Sequence, residues 1–362
     1  MLPLYIVVFS VGLLIAGLTF KVVVPLAIKL GYVDRPNERK LHTSPVPYGG
    51  GVAIFISLSL SGLVFLLPIQ LGLWDLSADS FAINLPDLPL DRRTLSVALG
   101  ASAIFVLGLL DDIYDIQAKL KLLIQTVIVS AVIYFGSVQM SFFVPLPIIG
   151  FVGTLLWVLL ITNAFNLLDN MDGQCCGITL VTLGIHLTLL LEKNQYLIAL
   201  ITLFVMAPVC IFFFYNRPPA KIYLGDAGSL MLGFIVANLS VLSTYYREGQ
   251  HLGAIFTPLL VLAVPLFDVA TVMFIRYKRG KPFFQGDRNH FSHRLQNLGL
   301  STGQTLATIC ALSLAMGIGG LMLGRGGDVQ ALLIFSQAFI ILLIVLVLEN
   351  AGKHTRTKDS SE

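Results

Sequence analysis

Residues 151–173 read FVGTLLWVLLITNAFNLLDNMDG, and the change of character within them decides the fold. From Phe151 to Ile161 the chain is an apolar run that reads as a membrane-spanning helix. Asn163, Asn166, Asp169 and Asp172 then follow within ten residues, closed by Gly173. An unpaired acid in hydrocarbon is costly, so such groups sit at an aqueous edge, pair with one another or bind a cation. Four oxygen-bearing side chains in so short a stretch suit a hard metal ion or a polar ligand. The plainer alternative is a solvated loop whose Asn and Asp cap the next helix.

The rest of the chain has the same character. Hydrophobic residues make up 56% and charged residues 12%, with a mean hydropathy of +0.86. A soluble domain carries about 25% charged residues, so these values exclude an ordinary soluble domain and predict a polytopic membrane protein. The four cysteines, with Cys175 and Cys176 adjacent, form neither a disulfide framework nor a zinc pattern. No nucleic-acid partner is expected.

A bilayer span needs about 20 apolar residues. On that scale an all-α fold of about eleven spans is expected, near 3–28, 49–67, 94–110, 121–138, 147–164, 176–191, 196–215, 227–244, 253–275, 303–323 and 329–349. The first run lacks a basic leader region and reads as a span, not a signal peptide. Residues 1–350 read as one transmembrane domain and 351–362 as a disordered cytoplasmic tail. Lys29, Arg35, Arg39, Lys40, Lys119, Lys121, Arg217, Lys221 and the basic residues from Arg276 to Arg294 fall on one side of the spans. The other side receives Arg92, Arg93, Lys193, Arg247 and Arg325. The positive-inside rule makes the first side cytoplasmic, with the N-terminus outside and the C-terminus inside.

Four further polar clusters fall on that cytoplasmic side. Asp34 to Gly51 is stiffened by Pro36, Pro45 and Pro47 and carries Arg39, Lys40 and His42, which suit either phosphate or lipid headgroups. Asp111 and Asp112 end an apolar run, with Asp115 about one turn beyond and Lys119 and Lys121 after it. Adjacent carboxylates repel unless a cation lies between them, and Mg²⁺ held by carboxylates and substrate phosphates resolves that conflict. Asp226 lies between Gly225 and Gly228 at the start of another apolar run, where it can cap a helix or join an anion site, with Tyr223 three residues earlier. Gly286 to Leu295 brings Arg288, His290, His293 and Arg294 together in the most basic loop, which suits phosphate recognition or acid–base work. Acids, amides and cations gathered on one face are what phosphoryl transfer to a lipid-borne acceptor requires. A proton-coupled transporter is the competing class. It would place acids in mid-span, where only Asp268 near Pro265 lies, and Asp268 is equally placed to reach the same cytoplasmic cavity.

D-D-x-x-D at Asp111–Asp115, the stretch from Asn163 to Gly173, I-Y-L-G-D-A-G-S from Ile222 and H-F-S-H-R-L from His290 occur together in order. In these motifs the chain resembles the bacterial polyprenyl-phosphate N-acetylhexosamine-1-phosphate transferases of glycosyltransferase family 4. Within them it looks most like the undecaprenyl-phosphate N-acetylglucosamine-1-phosphate type. The resemblance extends from the first cytoplasmic loop to the tenth span.

It implies a multi-pass enzyme of the bacterial inner membrane with its active site facing the cytoplasm. The reaction implied transfers GlcNAc-1-phosphate from UDP-GlcNAc to undecaprenyl phosphate, releasing UMP and starting O-antigen, common-antigen or teichoic-acid synthesis. Mg²⁺ is the implied cofactor, with Mn²⁺ as an alternative, and the resemblance also allows a homodimer. Carried over position by position, Asp226 would be the principal metal ligand with Asn166 close to it and Asp112 near the metal. Asp111 and Asp112 match the essential acidic pair, and Asp169 and His290 join the catalytic set. Lys119, Asp115, Asp172, Asn163, Asn216, Tyr223 and Arg294 would bind substrate, with Asn216, Tyr223 and Asp172 at the uridine. Two positions depart from the family pattern. Ser292 stands where many relatives have His, and Asn170 where relatives often have Gly. The first loosens the assignment of the sugar. Asp115, where enzymes that load MurNAc-pentapeptide usually carry Lys, argues against that donor.

Overall fold

The computed structural model describes residues 2–34, 46–70, 91–140, 146–246, 251–282 and 289–359. Among these the long helices are α1 (Leu2–Lys29), α2 (Gly50–Gln70), α3 (Arg92–Tyr114), α4 (Ala118–Gly136), α5 (Pro147–Leu168), α6 (Gln174–Glu192), α7 (Tyr196–Asn216) and α8 (Gly225–Leu242). A short 3₁₀ turn at Leu252–Phe256 leads into α9 (Thr257–Val261), α10 (Ala263–Lys278), α11 (Phe291–Asn297), α12 (Thr302–Met322) and α13 (Asp328–Asp359). The two-residue strands β1 (Val33–Asp34) and β2 (Val46–Pro47) pair antiparallel beside the start of α2.

Among the described residues nine helices are long and apolar enough to cross a bilayer, and the pair 252–261 and 263–278, bent by 66°, makes a tenth. Over Gly50–Phe65, α2 is a shorter apolar helix, and it stands where the sequence places the second span. The protein is an all-α polytopic membrane protein, and each of the expected apolar runs is helical. At the end of the chain, α13 runs on to Asp359, where the sequence leads one to expect disorder from Ala351. Each residue added to a formed helix gains a hydrogen bond without a new nucleation cost, which favours that extension.

The bundle closes around α8, in which every residue from Ala227 to Ser240 is buried. In lipid, helices associate through close packing and not through water exclusion, and small residues permit that approach. The glycines show it directly. A Cβ on Gly51 would lie 2.3 Å from the Gly228 nitrogen, and one on Gly108 2.4 Å from the Asp226 carbonyl oxygen. The first turn of α8 is thereby pressed against α2 and α3. By contrast α13 is peripheral, with Leu332, Phe339 and Val347 exposed for contact with lipid.

Helix polarity gathers the motifs. Asp111, Asp112 and Asp169 lie where α3 and α5 finish, and Lys121 and Asp226 lie where α4 and α8 begin. Side-chain contacts between these ends place them at one end of the bundle.

Candidate active site

Asp111 and Asp226 come together across an ammonium group. Lys121 Nζ donates to Asp111 Oδ2 at 2.5 Å and to Asp226 Oδ2 at 3.0 Å. Asp111 Oδ1 accepts from the Ile116 amide at 2.8 Å, which fixes that carboxyl against the turn joining α3 to α4. On the other side, Asn166 Nδ2 donates to Asp226 Oδ1 at 2.9 Å and to Ser229 Oγ at 3.0 Å. The Asp226 side chain remains 34% exposed, against 6% for Asp111, so the cluster opens outward on the Asp226 side.

Asp112 works differently from its neighbour. Its Oδ1 accepts from the Asp226 amide at 2.7 Å and its Oδ2 from the Ala227 amide at 3.1 Å. The first N–H groups of a helix have no partner within it, and a carboxylate there also meets the positive end of the helix dipole. Tyr32 adds a hydroxyl hydrogen bond to Asp112 Oδ2 at 3.3 Å. Burial and the Asp112 carboxylate push the Tyr32 phenol upward, so it stays protonated as the donor. Gly225, at φ +74°, has no room for a side chain, since a Cβ there would lie 2.6 Å from Asp112 Oδ2. Asp112 therefore positions the segment that carries Asp226.

Two loops are pinned beside this cluster. Asn216 is buried and bridges them, accepting from the Gly173 amide at 2.9 Å and donating to the Ile222 carbonyl at 2.8 Å. Asp172 Oδ2 accepts from the Ala220 amide at 2.9 Å. Tyr223 pairs its backbone amide with the Pro47 carbonyl at 2.9 Å, and its ring lies 5.8 Å from that of Tyr48. Tyr48 in turn lies 5.7 Å from Tyr32, giving a row of three aromatic rings that ends at the partner of Asp112. Asp169 follows the last residue of α5. Burial, then the carboxylates of Asp226, Asp112 and Asp172, push its carboxyl up to about 8.

The last motif forms a separate network. Asp268 on α10 is fully buried. It pairs through Oδ2 with His290 Nδ1 at 2.9 Å and through Oδ1 with the Phe291 amide at 2.6 Å. Arg294 is buried too. Its Nε meets Glu349 Oε1 at 2.9 Å, one terminal nitrogen donates to the Asn289 carbonyl at 2.7 Å, and the other to Thr271 Oγ1 at 2.8 Å. Ser292 Oγ donates to Asn170 Oδ1 at 2.5 Å, so the two positions that depart from the family pattern contact each other.

Several of the expected residues lie away from this cluster or serve other partners. Lys119 is exposed, whereas Lys121 holds the carboxylates. Because α4 begins at Ala118, two positions rotate a side chain about 200° round the helix. Asp115 is the left-handed C-cap of α3 at φ 50°, exposed, and does not join Asp111 and Asp112 on one helix face. Asn163 pairs with Gln125 at 2.7 Å and with the Leu159 carbonyl at 2.8 Å, between α4 and α5. Arg294 is enclosed by protein partners and not presented to a substrate, while Asn216 is buried between the two loops. Asp268, which a carrier would use in mid-span, is committed to the histidine loop. Arg39, Lys40, His42 and Arg288 lie outside the described residues. Glu349, Tyr32 and Tyr48 went unread in the sequence. Their types and local neighbours mark nothing, although an acid at the end of a long apolar run was a usable signal for Glu349.

Among the described residues no three His, Cys, Asp or Glu side chains converge as a complete metal cage. What they do form is a pair of carboxylates already drawn together by one cation, the Lys121 ammonium, with an amide alongside. An all-oxygen, incomplete carboxylate set is what Mg²⁺ accepts when substrate phosphates supply the remaining ligands. The residues present therefore fit such an ion, with Asp226 and Asp111 as its holders. Asp112 fits less well, because both its oxygens take backbone amides of α8, whereas Asp111 Oδ2 and Asp226 Oδ2 face a cation, the Lys121 ammonium, that a metal ion can replace.

The chain is similar to known proteins along most of its length. The model of glycosyl transferase family 4 matches residues 94–244, which hold the acidic pair, Asn166, Asp169 and Asp226. A Bacillus subtilis (strain 168) protein is 32% identical over 351 residues, covering 95% of this chain and 90% of its own length. It is described as a probable undecaprenyl-phosphate N-acetylglucosaminyl 1-phosphate transferase. The undecaprenyl-phosphate alpha-N-acetylglucosaminyl 1-phosphate transferase of Yersinia pestis is 30% identical over 93% of this chain and 88% of its own. The protein of that name from Escherichia coli (strain K12) is 27% identical over 80% and 76%. With its acidic cluster inside the matched region and relatives aligned along nearly its whole length, this chain belongs to glycosyl transferase family 4.

Proposed function

We propose that this chain transfers N-acetylglucosamine-1-phosphate from UDP-GlcNAc to undecaprenyl phosphate, giving undecaprenyl-diphospho-GlcNAc and UMP. The observation that carries the reading is the half-open cluster in which Asp111 and Asp226 share the Lys121 ammonium beside Asn166. The relatives bearing that activity in their names align over most of the chain. We further assign the acidic end of the bundle to the cytoplasm, on the distribution of Lys and Arg, and the whole to the bacterial inner membrane.

Chemically, an oxygen of the acceptor phosphate attacks the β-phosphorus of the donor, and the bond from that phosphorus to the bridging oxygen of UMP breaks. The nucleophile is already anionic, so no covalent enzyme intermediate is needed. Bound Mg²⁺, held by Asp226 and Asp111, would neutralise charge on the diphosphate. Lys121 bridges the two carboxylates and adds positive charge on the same side. Asp112 holds the first turn of α8, and with it Asp226, in place. Asp169 stands beside the cluster, and burial with the neighbouring carboxylates pushes its carboxyl up, so it sets less negative charge against the incoming phosphates. Tyr223 and Tyr48 offer ring faces for the uracil, and Asn216 and Asp172 hold the two loops that flank it.

The test is UMP release by purified protein given undecaprenyl phosphate, Mg²⁺ and, separately, UDP-GlcNAc, UDP-GalNAc and UDP-MurNAc-pentapeptide. Release with UDP-GlcNAc alone, abolished by EDTA, is expected. Release with another donor would move the assignment of the sugar, and no release with any donor would sink the transferase reading.

A further inference from the structure

Two segments 122 residues apart in the chain meet beside the acidic loop. Ser292 Oγ donates to Asn170 Oδ1 at 2.5 Å, and Gln296 Nε2 lies 3.5 Å from Met171 Sδ. Positions 292 and 296 are one turn apart and share a face of α11, so that face is turned to the loop between α5 and α6. Arg294, between them, faces the opposite way, to Glu349 and Thr271. The Asn170 amide is set for its role, because Nδ2 donates to the Leu167 carbonyl at 2.6 Å and leaves Oδ1 as the acceptor. Ser292 is fully buried, so its hydroxyl exchanges no hydrogen bond with solvent.

Fold stability alone does not require this contact. The helix is already anchored at its N-terminus by Asp268 and on its other face by Arg294. What the hydrogen bond adds is registration. Asn170 directly follows Asp169, and Ser292 stands two residues after His290. We infer that Asn170 and Ser292 form a latch between the acidic loop and the histidine loop, and that both are positioning residues setting where His290 stands relative to Asp169 and Asp172 when the sugar-nucleotide diphosphate binds. The inference rests on the transferase reading above. It concerns the donor side of the site, so the lipid acceptor should be indifferent to it.

A mutant cycle on the full-length protein in detergent tests it, with Asn170→Ala, Ser292→Ala and the double variant assayed for UMP release. Each single variant is expected to raise KM for UDP-GlcNAc about tenfold, the size of one lost buried hydrogen bond. The double variant should be no worse than the poorer single one, and KM for undecaprenyl phosphate should stay unchanged in all three. Ser292→Thr, which keeps the hydroxyl, should restore most of the loss. Independent effects that multiply in the double variant would overturn the latch. So would a parallel worsening, with lower kcat, higher KM for both substrates and lower thermal stability, which is the mark of a merely structural contact. An active wild-type enzyme with unshifted variants overturns the latch alone, whereas a wild type that releases no UMP overturns the transferase reading and the latch with it.

Discussion

Lys121 and Arg294 are both cations held by carboxylates at the same end of the bundle, yet their surroundings follow opposite rules. Arg294 has Glu349, Thr271 and the Asn289 carbonyl around it, and both partners of its ion pair are 5% exposed. Lys121 is one charge set against two, and Asp226 keeps about a third of its side chain open. A buried pair with all its hydrogen bonds made has nothing left to offer a ligand, and breaking it costs far more than it contributes when whole. An unbalanced, half-open pair keeps its affinity for an incoming cation and the phosphates that accompany it. Both lie in motifs that suggest phosphate binding, and only the local accounting of charge separates the scaffold from the site.

Mutation of each region sharpens that contrast. Asp226→Asn should cut UMP release about a thousandfold or more while the melting temperature in detergent changes little, because the loss falls on transition-state charge. Arg294→Met should do the reverse. It takes the guanidinium away from the buried Glu349 carboxylate, an expected cost of about 3–5 kcal/mol of stability, while the surviving folded protein loses far less activity than Asp226→Asn. Should the Arg294 variant fold normally yet fail to turn over, Arg294 belongs to the site and the contrast is wrong. A smaller effect is expected for Lys121→Gln, which leaves Asp111 and Asp226 facing each other. Thermal unfolding in EDTA should show a loss of about 1–3 kcal/mol, and added Mg²⁺ should stabilise this variant more than the wild type. Equal stabilisation of the two would remove Lys121 as the occupant of the cation position.

The helical runs, and the gathering of Asp111, Asn166 and Asp226 at one end of them, were legible because acids and amides at the end of an apolar run are costly and stand out. What stayed hidden depended on direction and on distant partners. Choosing Lys121 over Lys119 needs the first residue of α4, since two positions reverse the face. Asp111 and Asp112 read as one pair, but adjacent residues on α3 point about 100° apart, and so one meets Lys121 while the other meets the start of α8. Arg294 looked like a phosphate ligand because Glu349, 55 residues away, carries no local mark of being its partner. Asn170 and Ser292 each looked like an isolated departure from a pattern, and only their contact makes them one feature.

The last expected effect, on the pH dependence of stability, concerns Asp169, which stands beside the unbalanced cluster. Its carboxyl is pushed from the model-peptide range near 3.8 up to about 8, first by burial and then by the carboxylates of Asp226, Asp112 and Asp172. The folded protein therefore holds a proton that the unfolded chain gives up. Wherever the folded state binds more protons, stability falls as pH rises. For this group the fall begins near the unfolded value of 3.8 and is complete once pH passes about 8. Asp169→Asn keeps the shape and cannot ionise, so it should lack that decline. In EDTA the melting temperature of the variant minus that of the wild type should grow between pH 5 and pH 8 and then level off. Mg²⁺ should shrink the difference, because a cation beside Asp226 removes part of the repulsion that keeps Asp169 protonated. A difference that stays flat from pH 5 to 8 would mean that Asp169 is ionised in the folded protein, and its charge would then belong with those of Asp111 and Asp226.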